Sequence, residues 1–129
     1  MSGSQSGSGP IYHAALPDDW SAARRCGEYR MSTRGVTLEH EGFIHCSHRH
    51  QVEGVARRFY SDVAELVLLT IDPARLPVPV VEEPPTDGID ELFPHVYGPI
   101  PVDAVESAER WRPDGDGYRF GTNTSPLPD

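Results

Sequence analysis

Apolar positions along the chain fall into short runs and stripes that predict alternating strands and helices. Ile11 to Ala15 is an apolar stretch of strand length, stopped by Pro17. Trp20, Ala23 and Cys26 then recur at three-residue spacing and Gly27 supplies a left-handed stop, so a helix is expected over 18–26 with Asp18 or Asp19 as its cap. After a polar connection through residues 31–41, Gly42 to Ser47 reads as a strand. Period two sets Phe43, His45 and Ser47 on one face, Ile44 and Cys46 on the other. Ser47 is expected to cap a helix over about 48–60, whose apolar stripe is Val52, Val55, Ala56 and Phe59.

The run from Ala64 to Asp72 is almost continuously apolar, as in a central strand covered on both faces. Pro77 and Pro79 remove ladder donors, which restricts residues 77–82 to an edge strand or an extended segment. Pro84, Pro85 and Gly88 open a loop, residues 91–98 crowd aromatic and ionisable groups into a loop-like context, and residues 102–111 form a last strand. A flexible leader over 1–9, one domain over 10–112 and a mobile tail over 113–129 complete the organisation. The expected fold is a small single α+β domain with two to three helices.

Composition narrows the function. A chain of 129 residues, 37% hydrophobic, supplies one core, so its functional residues should share one site. The net charge of -9, from 20 acidic and 11 basic residues, argues against a nucleic-acid surface and favours a small or cationic ligand. All 11 basic residues are Arg, a composition bias typical of GC-rich bacterial genomes, and no mechanism follows from it. Two cysteines outside any paired motif suit a reducing cytoplasm. The absence of a long apolar run predicts no membrane span, and the start has no signal-peptide pattern, so a cytoplasmic monomer or homodimer is expected.

Candidate chemistry gathers on a few residues. His13 lies in a core strand, where a histidine is often buried with both nitrogens satisfied by the protein. His45 and Ser47 share a strand face ahead of a helix amino-terminus, a setting that favours an anion, though Ser47 alone is explained as a cap. Glu91 and His95 lie four apart around Pro94 and could act as base and orienting partner, or form a plain surface ion pair. His45, His48 and His50 suggest a metal, but a strand-to-helix corner would splay them, and no metal is expected. Trp20 and Tyr60 are the aromatics most suited to stacking on a planar ring, and Cys46 is expected in the core.

The segments Ile-Tyr-His13, Glu-Gly-Phe-Ile-His45-Cys-Ser47 with Gln51-Val, and Glu91-Leu-Phe-Pro-His95-Val-Tyr-Gly resemble the bacterial domain-of-unknown-function family 952 over about residues 10–107. That family has no settled activity. It is in turn similar to the ADP-ribosyltransferase-like fold, especially RNA 2'-phosphotransferases, a resemblance that implies a twisted, mostly antiparallel, split sheet. The resemblance implies an NAD-shaped cleft in which His13 contacts a ribose, His45 and Ser47 form a second motif, and Glu91 or His95 holds the catalytic position. No basic cluster for RNA phosphate is present, so RNA is not the expected substrate.

The leading expectation is therefore a small transferase that binds NAD or a related nucleotide and transfers or processes an ADP-ribosyl or phosphoryl group. Its catalytic residues would be His13, His45, Glu91 and His95; His13, Trp20, Ser47, Tyr60 and Arg57 would hold the cofactor, with Arg24 or Arg25 as further candidates for its pyrophosphate. One alternative is cofactor-free acid–base catalysis by His45 and His95 on a small metabolite, such as an isomerisation, cyclisation or dehydration. Another is a ligand-binding domain without turnover.

Overall fold

The most apolar run of the chain becomes the strand around which the rest packs. In the computed structural model, which describes residues 9–85, 90–115, 117–119 and 124–127, β6 (Leu66–Ile71) lies between β1 (Ile11–Ala15) and β10 (Val105–Trp111) in an antiparallel sheet. Its side chains alternate between two cores, as the pleat requires. Val67, Leu69 and Ile71 join Trp20, Ile44, Val96 and Ile100 on one face. Leu66 and Leu68 join Val52, Ala56, Tyr60, Trp111 and Tyr118 on the other. Burying each large apolar side chain contributes roughly 1.5–3 kcal/mol, so this strand carries much of the stability.

Each layer is closed by a helix. α1 (Pro17–Cys26) buries Trp20 and Ala23 in the first core and ends on Gly27 at φ 98°. Its cap is Leu16, not Asp18 or Asp19, because Pro17 pre-sets the helical φ and starts the helix earlier; the two aspartates instead favour the positive end from within the first turn. α3 (Arg49–Phe59) buries Val52 and Ala56 in the second core, and its cap is His48 with Gln51 completing a capping box. Ser47 is not the cap, because its backbone is still paired in extended conformation with Tyr12.

A second antiparallel sheet has the order β5 (Ile44–His45), β8 (Phe93–Val96), β7 (Val80–Glu83). β7 is its edge, as the prolines before it demand. Residues 93–96, expected in a loop, form the middle strand and are buried throughout. Pro94 lacks a donor but its carbonyl accepts the Cys46 amide at 3.1 Å, which is why a proline is tolerated there. The two sheets meet where the chain after β5 changes partners. His45 pairs with His95, and two residues on Ser47 exchanges 2.7 Å hydrogen bonds with Tyr12 in both directions. The α+β class and a mostly antiparallel, split arrangement are thus realised.

The connection over 31–41 holds unexpected structure: β3 (Met31–Thr33) and β4 (Val36–Thr37) form a hairpin around Gly35, followed by the one-turn helix α2 (Leu38–Glu41) capped by Thr37. β2 (Glu28–Tyr29) pairs with β9 (Ile100–Pro101). The segment after 113 is not a mobile tail where it is described. Tyr118 is buried, the Trp111 indole donates to the Arg119 carbonyl at 2.9 Å, and β11 (Thr124–Pro126) pairs with β10. An aromatic side chain with a place in the core outweighs the Gly- and Pro-rich composition around it. Residues 1–8 of the expected leader, Gly88 of the expected loop, and 116, 120–123 and 128–129 lie outside the described residues.

Gly98, just past β8, shows how closely the second sheet packs. A Cβ there would lie 2.5 Å from Val78 Cγ1. Gly98→Ala should lower the urea midpoint by an amount worth about 1–3 kcal/mol, and Val78→Ala in the same chain should recover part of it. An unchanged midpoint would mean that Val78 yields freely.

Candidate functional site

The split between the sheets exposes a cleft, and the residues around it come from separate parts of the chain. At its base His13 Nδ1 lies 2.7 Å from the His45 carbonyl and Nε2 lies 2.9 Å from the Tyr29 hydroxyl. A carbonyl only accepts, so Nδ1 carries the proton and Nε2 accepts from Tyr29. Burial pulls the His13 pKa down from 6.5 to about 4, partly offset by the bond to the His45 carbonyl, so the ring is neutral at physiological pH. Both nitrogens are thus occupied within the protein. His13 lines the cleft but acts as a strut fixing β1 to His45 and Tyr29.

The cleft has two adjoining chambers. The inner one, about 200 Å³, is bordered by His13, Ser32, Glu41, Ser47 and Tyr60, and the outer one, about 270 Å³, by His50, Gln51, Arg58, Glu91 and Phe93. His45, Val55, Phe59 and Pro85 line both and form the passage between them. Of the expected residues, His13, His45, Ser47, Tyr60 and Glu91 therefore converge on one cleft. Tyr60 is 3% exposed, and burial raises its hydroxyl pKa.

Other expected residues lie elsewhere. Trp20 is 5% exposed in the first core, tilted against Tyr29, and lines neither chamber. Arg24 and Arg25 sit in the exposed last turn of α1, and Arg57 packs its guanidinium against Gly117. The cation on the cleft is Arg58, on the α3 face that also carries Gln51, Gly54 and Val55. Those positions recur three, four and seven residues along, so helical spacing from Gln51 was the available signal for Arg58.

His95 does not pair with Glu91. Its Nδ1 donates to Glu83 Oε2 at 2.8 Å, and the Tyr97 hydroxyl donates to the same carboxylate oxygen, two bonds that hold the Glu83 pKa low. Residues 91 and 95 are too far apart along an extended chain to meet, whereas the register places Glu83 opposite Phe93, diagonal to His95 on one face. The His95 ring stacks on Phe43 at 4.0 Å and meets His45 edge-on at 4.8 Å; its Nε2 is buried with no hydrogen-bond partner among the described residues. Glu91 instead accepts from Gln51 Nε2 at 2.8 Å, which also donates to the Leu92 carbonyl. Gln51 therefore holds Glu91 at the mouth of the outer chamber while its other end closes the cap of α3.

His48 turns away to Glu82 at 2.8 Å and stacks on His50 at 6.0 Å, and among the described residues no His, Cys, Asp or Glu cluster of metal-binding size occurs. Cys46 is fully buried, and burial pushes its thiol pKa up, which leaves it inert. No helix of the structure is long and apolar enough to cross a membrane.

A family model described as a protein of unknown function (DUF952) matches residues 14–108. Among solved structures, the crystal structure of protein CC0527 from Caulobacter crescentus superposes with a TM-score of 0.73 at 29% identity, covering 87% of this chain and 95% of that one. The solution NMR structure of the same protein gives 0.62 at 25% identity, covering 86% and 91%. No curated protein matches.

Proposed function

The chain belongs to this family of unknown function, DUF952, and from its cleft we propose that it is an ADP-ribosyltransferase-like enzyme that binds NAD or a related nucleotide and transfers the ADP-ribosyl group. The observation that carries this reading is the opposed character of the two joined chambers. The inner one has the Glu41 carboxylate and the Tyr60 and Phe59 rings and no arginine among its lining residues. The outer one runs along α3 from His50, near the positive end of the helix dipole, to Arg58, with Glu91 at its mouth. A ligand with a cationic ring at one end and phosphates at the other matches that order.

In this reading Glu91, held by Gln51, stabilises the positive charge that develops on the ribose as the glycosidic bond opens, or accepts the proton of the incoming acceptor. Ser47 and His45 hydrogen-bond the sugar between the chambers, and His13 keeps His45 in place. Thermal-shift and calorimetric titrations with NAD, ADP-ribose and nicotinamide give the test. NAD should raise the melting temperature saturably, and Ser47→Ala should weaken that binding. Glu91→Gln should retain binding within a few-fold and lose about 100-fold or more in turnover. No binding at millimolar NAD would end the reading.

The His95–Glu83 contact favours a second reading, cofactor-free acid–base chemistry. A carboxylate on Nδ1 fixes the tautomer of His95, whose ring meets that of His45 on the cleft. A bell-shaped rate profile without NAD, flattened in Glu83→Gln, is its expected signature.

A further inference from the structure

Glu41 closes the one-turn helix α2, where a carboxylate gains nothing from the helix dipole, and it makes no ion pair among the described residues. It is half-buried and lines the inner chamber together with Ser32. Ser32 is 1% exposed, and its hydroxyl oxygen is buried with no hydrogen-bond partner among the described residues, an arrangement that costs stability and is relieved by a ligand reaching it. Among the described residues lining the chamber there is no arginine, and its histidines are His13 and His45. His13 is neutral, and Arg34, which follows Thr33 on the wall, is tied to Asp62 by bonds of 2.7 and 2.9 Å, its guanidinium 6.0 Å from the Tyr60 ring. The chamber also presents Phe59, an apolar ring 44% exposed, with the Arg58 guanidinium 5.1 Å from its centroid.

We infer that the inner chamber is a subsite selective for a small organic cation, a ring-nitrogen cation above all. Glu41 supplies the charge, Phe59 an exposed ring, and Ser32 a hydrogen bond to a polar substituent. A volume of about 200 Å³ is below the usual range for a drug-sized ligand and fits a single ring, so the subsite takes one end of a larger molecule or a free small cation. This deepens the nucleotide reading but does not depend on phosphate contacts in the outer chamber.

The test uses two probes that share one ring, 1-methylnicotinamide, a cation, and nicotinamide, which is neutral, titrated calorimetrically into the full chain alongside NAD. The cation should bind at least tenfold more tightly than the neutral ring. In Glu41→Gln that ratio should fall to within about twofold while nicotinamide affinity holds, and Ser32→Ala should weaken both probes several-fold. Equal affinities, a preference that survives in Glu41→Gln, or no binding of either probe overturns the inference. If 1-methylnicotinamide binds with Glu41 dependence and NAD does not bind, the cation subsite stands and the nucleotide reading falls. If NAD binds and the Glu41 dependence is absent, the reverse holds.

Discussion

Cutting the chain after Pro113 should lower its unfolding free energy by about 4 kcal/mol or more, close to the whole stability of an ordinary small domain. The loss has separate sources. Tyr118 is 1% exposed, and withdrawing its ring from the second core removes roughly 2 kcal/mol of burial. Its hydroxyl, which donates to the Val63 carbonyl at 3.0 Å, goes with it. Trp111, fully buried, loses the Arg119 carbonyl as acceptor for its indole N–H, and an unpaired donor costs about 1–3 kcal/mol. The pairing of β10 with β11 is lost as well. Urea unfolding of the shortened and full chains measures the difference. A midpoint preserved in the shortened chain would mean that the C-terminal segment merely rests on the domain. Tyr118→Phe, which removes only one hydrogen bond, should cost about 1 kcal/mol.

Acid should destabilise the fold through His13 before the carboxylates titrate. The His13 pKa falls from 6.5 to about 4 on burial. Its folded value is depressed, so between these limits the unfolded chain takes up a proton that the folded chain refuses. The stability this histidine contributes is therefore complete above pH 6.5 and is lost as pH falls toward 4. At about 1.4 kcal/mol per pH unit the loss is on the order of 3 kcal/mol. The profile of stability against pH should be steep in that window for the natural chain and distinctly flatter for His13→Gln, which offers a donor and an acceptor but cannot titrate. Parallel profiles would assign the acid sensitivity to other groups. Near neutral pH His13→Ala should cost about 2–4 kcal/mol, because it leaves the His45 carbonyl without its donor at a buried junction.

Much of the frame was legible in the chain because it rests on local pattern. The run at 66–71 has too many consecutive apolar residues for a strand with a wet face, and Val52, Val55, Ala56 and Phe59 recur at helical spacing. That His13, His45, Ser47, Tyr60 and Glu91 line one cleft agrees with the expectation that a chain with one core keeps such residues together. What could not be read depends on register. Nothing local to His95 states that Glu83, on a strand across a long connection, lies diagonal to it, whereas Glu91 is near in sequence and invites the pairing that extended backbone forbids. Tyr118 was similarly hidden. The Gly and Asp around it mark a loop, and only the space beside Trp111 reveals that the loop is anchored. Arg58 was passed over for Arg57 because both are exposed on one helix and the face that meets the cleft is set by tertiary packing.

The partner exchange after β5 also bears on how the molecule assembles. His45 must find a strand from the last third of the chain, and Ser47 one from its beginning, so the few residues that make the cleft depend on two long-range closures at once. Long-range closures spend chain entropy before contacts return it, and they are slow. The helices and the 31–37 hairpin have only local partners to find and can form early. The cleft should be among the last parts to gain protection from hydrogen exchange during refolding. A nascent chain released before residue 96 would have its helices and hairpin and no binding site.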